Sequence, residues 1–132
     1  MVDGEILASI HQGLLVLIGV ESGDTEAKTK RMAERLVGYR VFVDNDGRMN
    51  RSVRDIDGGI VLVPQFTLTA ETDRGTRPSF SKGAAPDEGR QLFNALADET
   101  RVRHPDVQVG RFGAEMKVTL VNDGPVTFWL QL

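Results

Sequence analysis

With 132 residues, 40% of them hydrophobic and 27% charged, the chain suits one soluble globular domain, residues 1–132, around one modest core. It has no cysteine, so disulfides and thiolate chemistry are excluded, and no apolar run approaches the roughly 18 residues of a membrane span. Sixteen basic against 19 acidic side chains leave a net charge of −3, which does not mark a general polyanion binder but leaves room for a local basic face.

The first residues carry neither the basic start nor the apolar stretch of a signal peptide. Asp3-Gly4 reads as a hairpin turn with Ile6–Ile10 as the returning strand. After the turn His11-Gln12-Gly13, Leu14–Val20 is a continuous apolar run, suited to a strand buried on both faces. His11 sits in the turn between them with no second ligand beside it, which fits a solvated residue better than a metal ligand. Glu21–Asp24 ends the strand and offers Asp24 as a helix N-cap. From Thr25 to about Arg40, Met32, Ala33, Leu36 and Val37 recur at helical spacing. The opposite side carries Lys28, Lys30, Arg31, Arg35 and Arg40, either an ordinary solvated face or one that meets phosphates.

Val41–Val43 reads as a short strand and Asp44-Asn45-Asp46-Gly47 as a turn. The acidic spacing of that turn resembles the start of a calcium loop, but the downstream Glu and flanking helices are missing, so calcium binding is rejected. Ile60–Val63 is a second continuous apolar run and the expected central strand. Pro64 should break its pairing, since proline cannot donate to a ladder, before the chain continues through Gln65-Phe66-Thr67-Leu68-Thr69. Thr72–Gly83 is a loop holding Arg74, Arg77, Phe80 and Lys82. It could contact phosphate and stack on a base, or be a loop with one buried anchor. Pro86 starts a second helix, with Leu92, Phe93, Leu96 and Ala97 as its apolar stripe, and His104 closes it as a C-terminal cap partner.

Near the end, Met116–Val121 and Val126–Leu130 read as strands by alternation and β-branched content. Asn122-Asp123-Gly124-Pro125 lies between them. Asp-Gly alone would close a hairpin; the added Pro removes an N–H from the return strand. Two readings stay open, a tight turn or a rigid probe held outside the sheet. A cis bond would make such a probe, although only about 5–6% of X-Pro bonds in folded proteins are cis.

The side-chain inventory for chemistry is thin. Paired histidines, a Gly-x-Ser-x-Gly elbow, a P-loop and a GxGxxG fingerprint are all lacking. Thr67 is the best hydroxyl, with no evident base beside it in sequence. An enzyme built this way would rely on backbone donors and on the substrate's own groups.

That pattern resembles the D-aminoacyl-tRNA deacylases. The likeness runs over essentially the whole chain, through Gly13-Leu14-Leu15-Val16-Leu17, Tyr39-Arg40-Val41-Phe42, Met49-Asn50, Gln65-Phe66-Thr67-Leu68, Arg77-Pro78-Ser79-Phe80, Arg111-Phe112-Gly113-Ala114 with Met116, and Asn122–Thr127. Each motif is weak by itself; in this order and spacing they are specific. The resemblance implies an α/β fold in one domain, mixed sheets forming a barrel-like β/β/α layering with two helices packed on one side. It implies a cytoplasmic homodimer, with no metal or cofactor and neither membrane nor DNA as partner. The implied reaction is hydrolysis of the ester between a D-amino acid, or glycine, and the terminal adenosine of tRNA.

By the same resemblance, Gly124-Pro125 is cis and enters the partner subunit's active site, where its carbonyls meet the α-amino end and reject L-amino acids. Gln65, Phe66 and Thr67 line the pocket, their N–H groups placed for the oxyanion. The ribose 2′-hydroxyl assists the attack, Thr67 supports it, and Phe112 and Met116 flank the aminoacyl group. Lys28, Arg31, Arg35 and Arg77 are the candidate tRNA contacts. The sequence departs from the family in two places. A strand resembling Leu-Ile-Gln-Arg-Val usually precedes the Val-Asp-Gly-Glu turn, with an arginine that holds the Gly-Pro loop, and Ser usually stands where this chain has Pro64. An alternative follows from the first departure, a catalytically silent binder of tRNA acceptor ends.

Overall fold

The computed structural model describes residues 1–132. Strand β1 (Gly13–Ile18) and strand β4 (Gly59–Pro64) run parallel, from Gly13 opposite Gly59 to Ile18 opposite Pro64. Strand β5 (Val107–Val109) lies parallel on the other side, so the Ile60–Val63 run is the central strand, as its apolar continuity predicts. Helices α1 (Glu26–Gly38) and α2 (Pro86–Arg103) pack together over this sheet. Between α1 and β4, strands β2 (Phe42–Val43) and β3 (Met49–Arg51) form a separate antiparallel ribbon. The layering is mixed α/β with both helices present, and the sheet stays open rather than closing into a barrel.

Ile60 and Leu62 are fully buried among Ala33, Leu36 and Val37 of α1 and Phe93, Leu96 and Ala97 of α2. Burial of each such aliphatic or aromatic side chain contributes about 1.5–3 kcal/mol. Both expected helical stripes therefore face the core, with Met32 at its margin and Val102 outside. The β1 run is a correction. It reads as buried on both faces, yet Leu17 is 44% exposed, because β1 is an edge strand covered on one side only.

The cap of α1 is a second correction. Thr25, not Asp24, has the extended backbone of an N-cap, and its side chain accepts from the Lys28 N–H at 3.4 Å. Asp24 is drawn backward instead: it accepts the Glu21 N–H at 2.8 Å and pairs with Lys28 at 3.3 Å. Helix α2 starts at Pro86 as expected and ends at His104, whose N–H bonds Thr100 O at 2.9 Å. The imidazole is buried and its Nε2 lies 2.6 Å from Gly58 O, tying the helix end to the entrance of β4.

Three expected strands do not form ladders. Asp3 and Gly4 do make the turn, both with positive φ, and Val2 and Glu5 exchange bonds of 2.9 Å. Ile6–Ile10 then runs unpaired by backbone; the Gln108 side-chain amide holds Ser9 instead, with two bonds of 2.8 Å. The terminal segments Met116–Val121 and Val126–Leu130 are likewise not paired with each other. Asn122 accounts for this locally, since its Oδ1 accepts the Val126 N–H at 3.1 Å and its amide donates to Thr127 Oγ1 at 2.9 Å. That spreads the turn over six residues, too wide to set a two-residue hairpin register, and Pro125 has no N–H to give. Leu120, Val121, Phe128 and Trp129 are left exposed. No helix is long and apolar enough to cross a membrane.

Candidate active site

Pro64 ends β4, as a residue without an N–H should. The ladder gives one further bond, from Gln65 N–H to Ile18 O at 2.7 Å, and the chain then tightens into a single 3-10 turn, Phe66–Thr69. The first donors of any helical turn have no acceptor within it, and the N–H groups of Phe66 and Thr67 also find none among the loop and cap bonds. The Gln65 side-chain amide donates to Thr67 Oγ1. Thr67 is exposed, and its hydroxyl is held by this amide rather than by a base.

Beside this turn lies a cavity of about 290 Å³. Its walls are the end of β4 (Val63, Pro64), then Gln65 and Phe66, and the segment that follows β5 (Phe112–Ala114, Met116 and Val118). The Gly110 N–H bonds Leu62 O at 2.8 Å and keeps that segment against β4. The Met116 sulfur fills the space where a side chain on Gly110 would sit, 2.7 Å from the position of a Cβ there. Phe112 is backed by Phe93, ring centres 6.4 Å apart, and capped by the Arg90 guanidinium at 5.5 Å.

The fold thus brings Gln65, Phe66, Phe112 and Met116 to one cavity, while Thr67, expected to line it, is exposed on the adjoining turn and is not part of its wall. Pro64, expected only as the break in strand pairing, also forms part of the wall, as do Gly113, Ala114 and Val118, which no single motif position marks as lining residues. Gly124 and Pro125 lie apart from this cavity, exposed at the tip of the terminal loop, with their peptide bond cis and Gly124 at φ 137°.

Not one ionisable side chain lines the cavity. The groups with displaced pKa values lie elsewhere. Asp44 is held below the usual carboxylate range chiefly by the Arg48 N–H, with help from the Asn50 amide. Asp55 is held down by the N–H and hydroxyl of Ser52. Arg103 is raised by its bond to Glu99. All three are structural, and Asp44 already spends its carboxylate on its own turn.

The candidate tRNA contacts fall into two groups. On α1, Lys28 is paired with Asp24 and Arg35 lies over the Tyr39 ring at 5.8 Å, so of the three α1 candidates Arg31 alone is exposed without such a partner. Arg77 lies exposed on the Thr72–Gly83 loop, free of any ion pair.

The family described as D-Tyr-tRNA(Tyr) deacylase matches residues 1–131. This chain belongs to that family. A D-aminoacyl-tRNA deacylase of Stenotrophomonas maltophilia is 58% identical over 131 residues, covering 98% of this chain and 90% of the relative. One from a Marinomonas species is 54% identical over 130 residues, with 98% and 90% covered. Among solved structures, the c-Myc DNA unwinding element binding protein superposes with a TM-score of 0.94 at 32% identity, over all of this chain and 90% of that one. A probable eukaryotic D-amino acid tRNA deacylase, 18% identical with a TM-score of 0.67 over 78% of this chain and 76% of its own, shares the deacylase fold.

Proposed function

We propose that this deacylase hydrolyses the ester joining a D-amino acid, or glycine, to the terminal adenosine of tRNA, as chirality proofreading. The observation that carries the reading is a cavity of family-matching residues with no acid or base in its wall. Hydrolysis by such a site has to use dipoles and substrate groups. Water attacks the ester carbonyl, the ribose 2′-hydroxyl assists, and the unpartnered N–H groups of Phe66 and Thr67 receive the developing oxyanion. The tetrahedral intermediate then collapses with the ribose oxygen as leaving group, releasing free amino acid and tRNA. Thr67 supports this arrangement through Gln65 and does not attack. Phe112 and Met116 flank the aminoacyl group.

Chiral selection is assigned to Gly124-Pro125 of a second copy. Two observations support a homodimer: the Gly-Pro tip lies outside its own cavity, and Leu120, Val121, Phe128 and Trp129 beside it are exposed. A backbone wall rejects any L side chain whatever its chemistry. A tRNA substrate fits a cytoplasmic site of action. The test is release of labelled amino acid from D-tyrosyl-tRNA and L-tyrosyl-tRNA in parallel. Cleavage of the D ester with the L ester spared is the expected result. Binding of a non-hydrolysable D-aminoacyl-adenosine without turnover of D-tyrosyl-tRNA would identify a silent binder instead.

A further inference from the structure

We propose that Phe66 and Phe80 together form a stacking platform for the base of the terminal adenosine. Arg74 and Arg77 on the same loop would face the phosphates behind it. The inference rests on the deacylase reading for the identity of the occupant, but its physical basis is separate.

The two phenylalanines lie 14 positions apart and meet on the surface, ring centres 5.2 Å apart at 58°. Phe66 is 66% exposed and Phe80 43% exposed, so this contact leaves most of the apolar area of Phe66 in water. Neither ring belongs to the core. The backbone beneath each is nonetheless tied down. The 3-10 turn under Phe66 is tied by Thr69 Oγ1, which donates to Phe66 O at 2.7 Å. The arm carrying Phe80 is closed by mutual bonds between Glu71 and Ser79, at 2.7 and 3.0 Å. Its base is anchored beyond β1 by Ser22 N–H to Lys82 O and Ala84 N–H to Val20 O, each 2.9 Å.

Gly83 allows the arm to lie against the turn. A Cβ there would stand 2.9 Å from Thr69 Oγ1, so a larger residue would push arm and turn apart. A pair of exposed rings in mutual contact on anchored backbone suits base stacking, because every base has a π face and ordering costs less when the backbone carrying the rings is already held.

The occupant follows from position and charge. Phe66 is also a wall of the cavity, so a base on the pair lies one side chain away from the ester being cleaved. Arg74 and Arg77 are exposed without ion pairs, whereas Lys82 is committed to Glu71 at 3.3 Å. Two free guanidiniums on the arm that also carries Phe80 complement a nucleotide and its upstream phosphate.

The test uses fluorescence anisotropy of 5′-labelled CCA trinucleotide and of the same trinucleotide with an abasic terminal residue, against the full-length wild type, Phe80→Leu and Phe80→Trp. Phe80→Leu keeps an apolar side chain and removes the ring; Phe80→Trp keeps a ring. Stacking on an aromatic is worth enough that Phe80→Leu should weaken CCA binding by about tenfold. Binding of the abasic trinucleotide should be unchanged, and Phe80→Trp should restore the CCA affinity. With D-tyrosyl-tRNA as substrate, Phe80→Leu should raise KM and leave kcat near wild type. Equal weakening of both trinucleotides, no weakening of either, or no CCA binding by wild type would overturn the platform. The deacylase reading has its own separate test, since cleavage of D-tyrosyl-tRNA by wild type does not depend on this result.

Discussion

Thr67 is the one side chain whose chemistry invites two mechanisms. Its hydroxyl accepts the Gln65 amide, and the adjoining cavity wall carries no ionisable group that could take its proton. Removing a true attacking hydroxyl costs on the order of 10⁶ in kcat where that has been measured. Thr67→Val removes one neutral hydrogen bond and keeps the N–H, so the expected loss is about tenfold or less. Single-turnover hydrolysis of D-tyrosyl-tRNA by Thr67→Val measures this, and a dead variant that still folds would make Thr67 the nucleophile. A second prediction concerns His104, buried with Nε2 at 2.6 Å from Gly58 O. His104→Ala leaves a cavity and an orphaned carbonyl beneath β4, and should cost about 2–4 kcal/mol in urea unfolding.

Among the elements, the β2–β3 turn and the Ser52–Asp55 turn carry the displaced carboxylates. Both Asp44 and Asp55 have folded pKa values below the ordinary 3.8. A depressed pKa contributes stability that is present above the unfolded value and lost as pH falls through the folded one. The melting temperature should therefore begin to fall as pH drops through about 4 and keep falling below it. The double variant Asp44→Asn, Asp55→Asn should show a shallower acid limb, and an unchanged limb would contradict this.

The basic elements also separate. On α1, Lys28 and Arg35 already have intramolecular partners, while the arm at Thr72–Gly83 offers Arg74 and Arg77 free. Neutralising Arg74 and Arg77 should weaken tRNA binding and reduce its salt slope by about two. Neutralising Lys28, Arg31 and Arg35 should do less. Equal slopes for both variants and wild type would remove both surfaces from consideration.

Over the whole molecule, the helices and the central strand were legible because burial writes directly into residue pattern. Ile60–Val63 could face nothing but core, and Leu92, Phe93, Leu96 and Ala97 mark one helical face. The N-cap was missed at one residue because Asp24 and Thr25 are both competent, and only the Glu21 N–H decides between them. The terminal hairpin was misread for a deeper reason. Alternation in Met116–Val121 states that the chain is extended, but it does not name the strand that pairs with it. In the site, Gln65, Phe66, Phe112 and Met116 came from matching motifs, whereas the meeting of Phe66 with Phe80 follows from the fold of an aperiodic arm. Exposure of Leu120, Val121, Phe128 and Trp129 leads to the expectation that sedimentation will give twice the 14.5 kDa chain mass, and that Trp129→Glu will shift it toward the monomer.

The central claim is that backbone groups and the substrate's own hydroxyl cleave the ester in a cavity without acid or base. It is tested most directly by comparing D-tyrosyl-tRNA that ends in adenosine with the same ester on a terminal 2′-deoxyadenosine, under single turnover with wild-type protein. Rapid cleavage of the first and near-complete loss on the second is the predicted result. Equal cleavage of both esters would contradict it and place the catalytic group on a protein side chain.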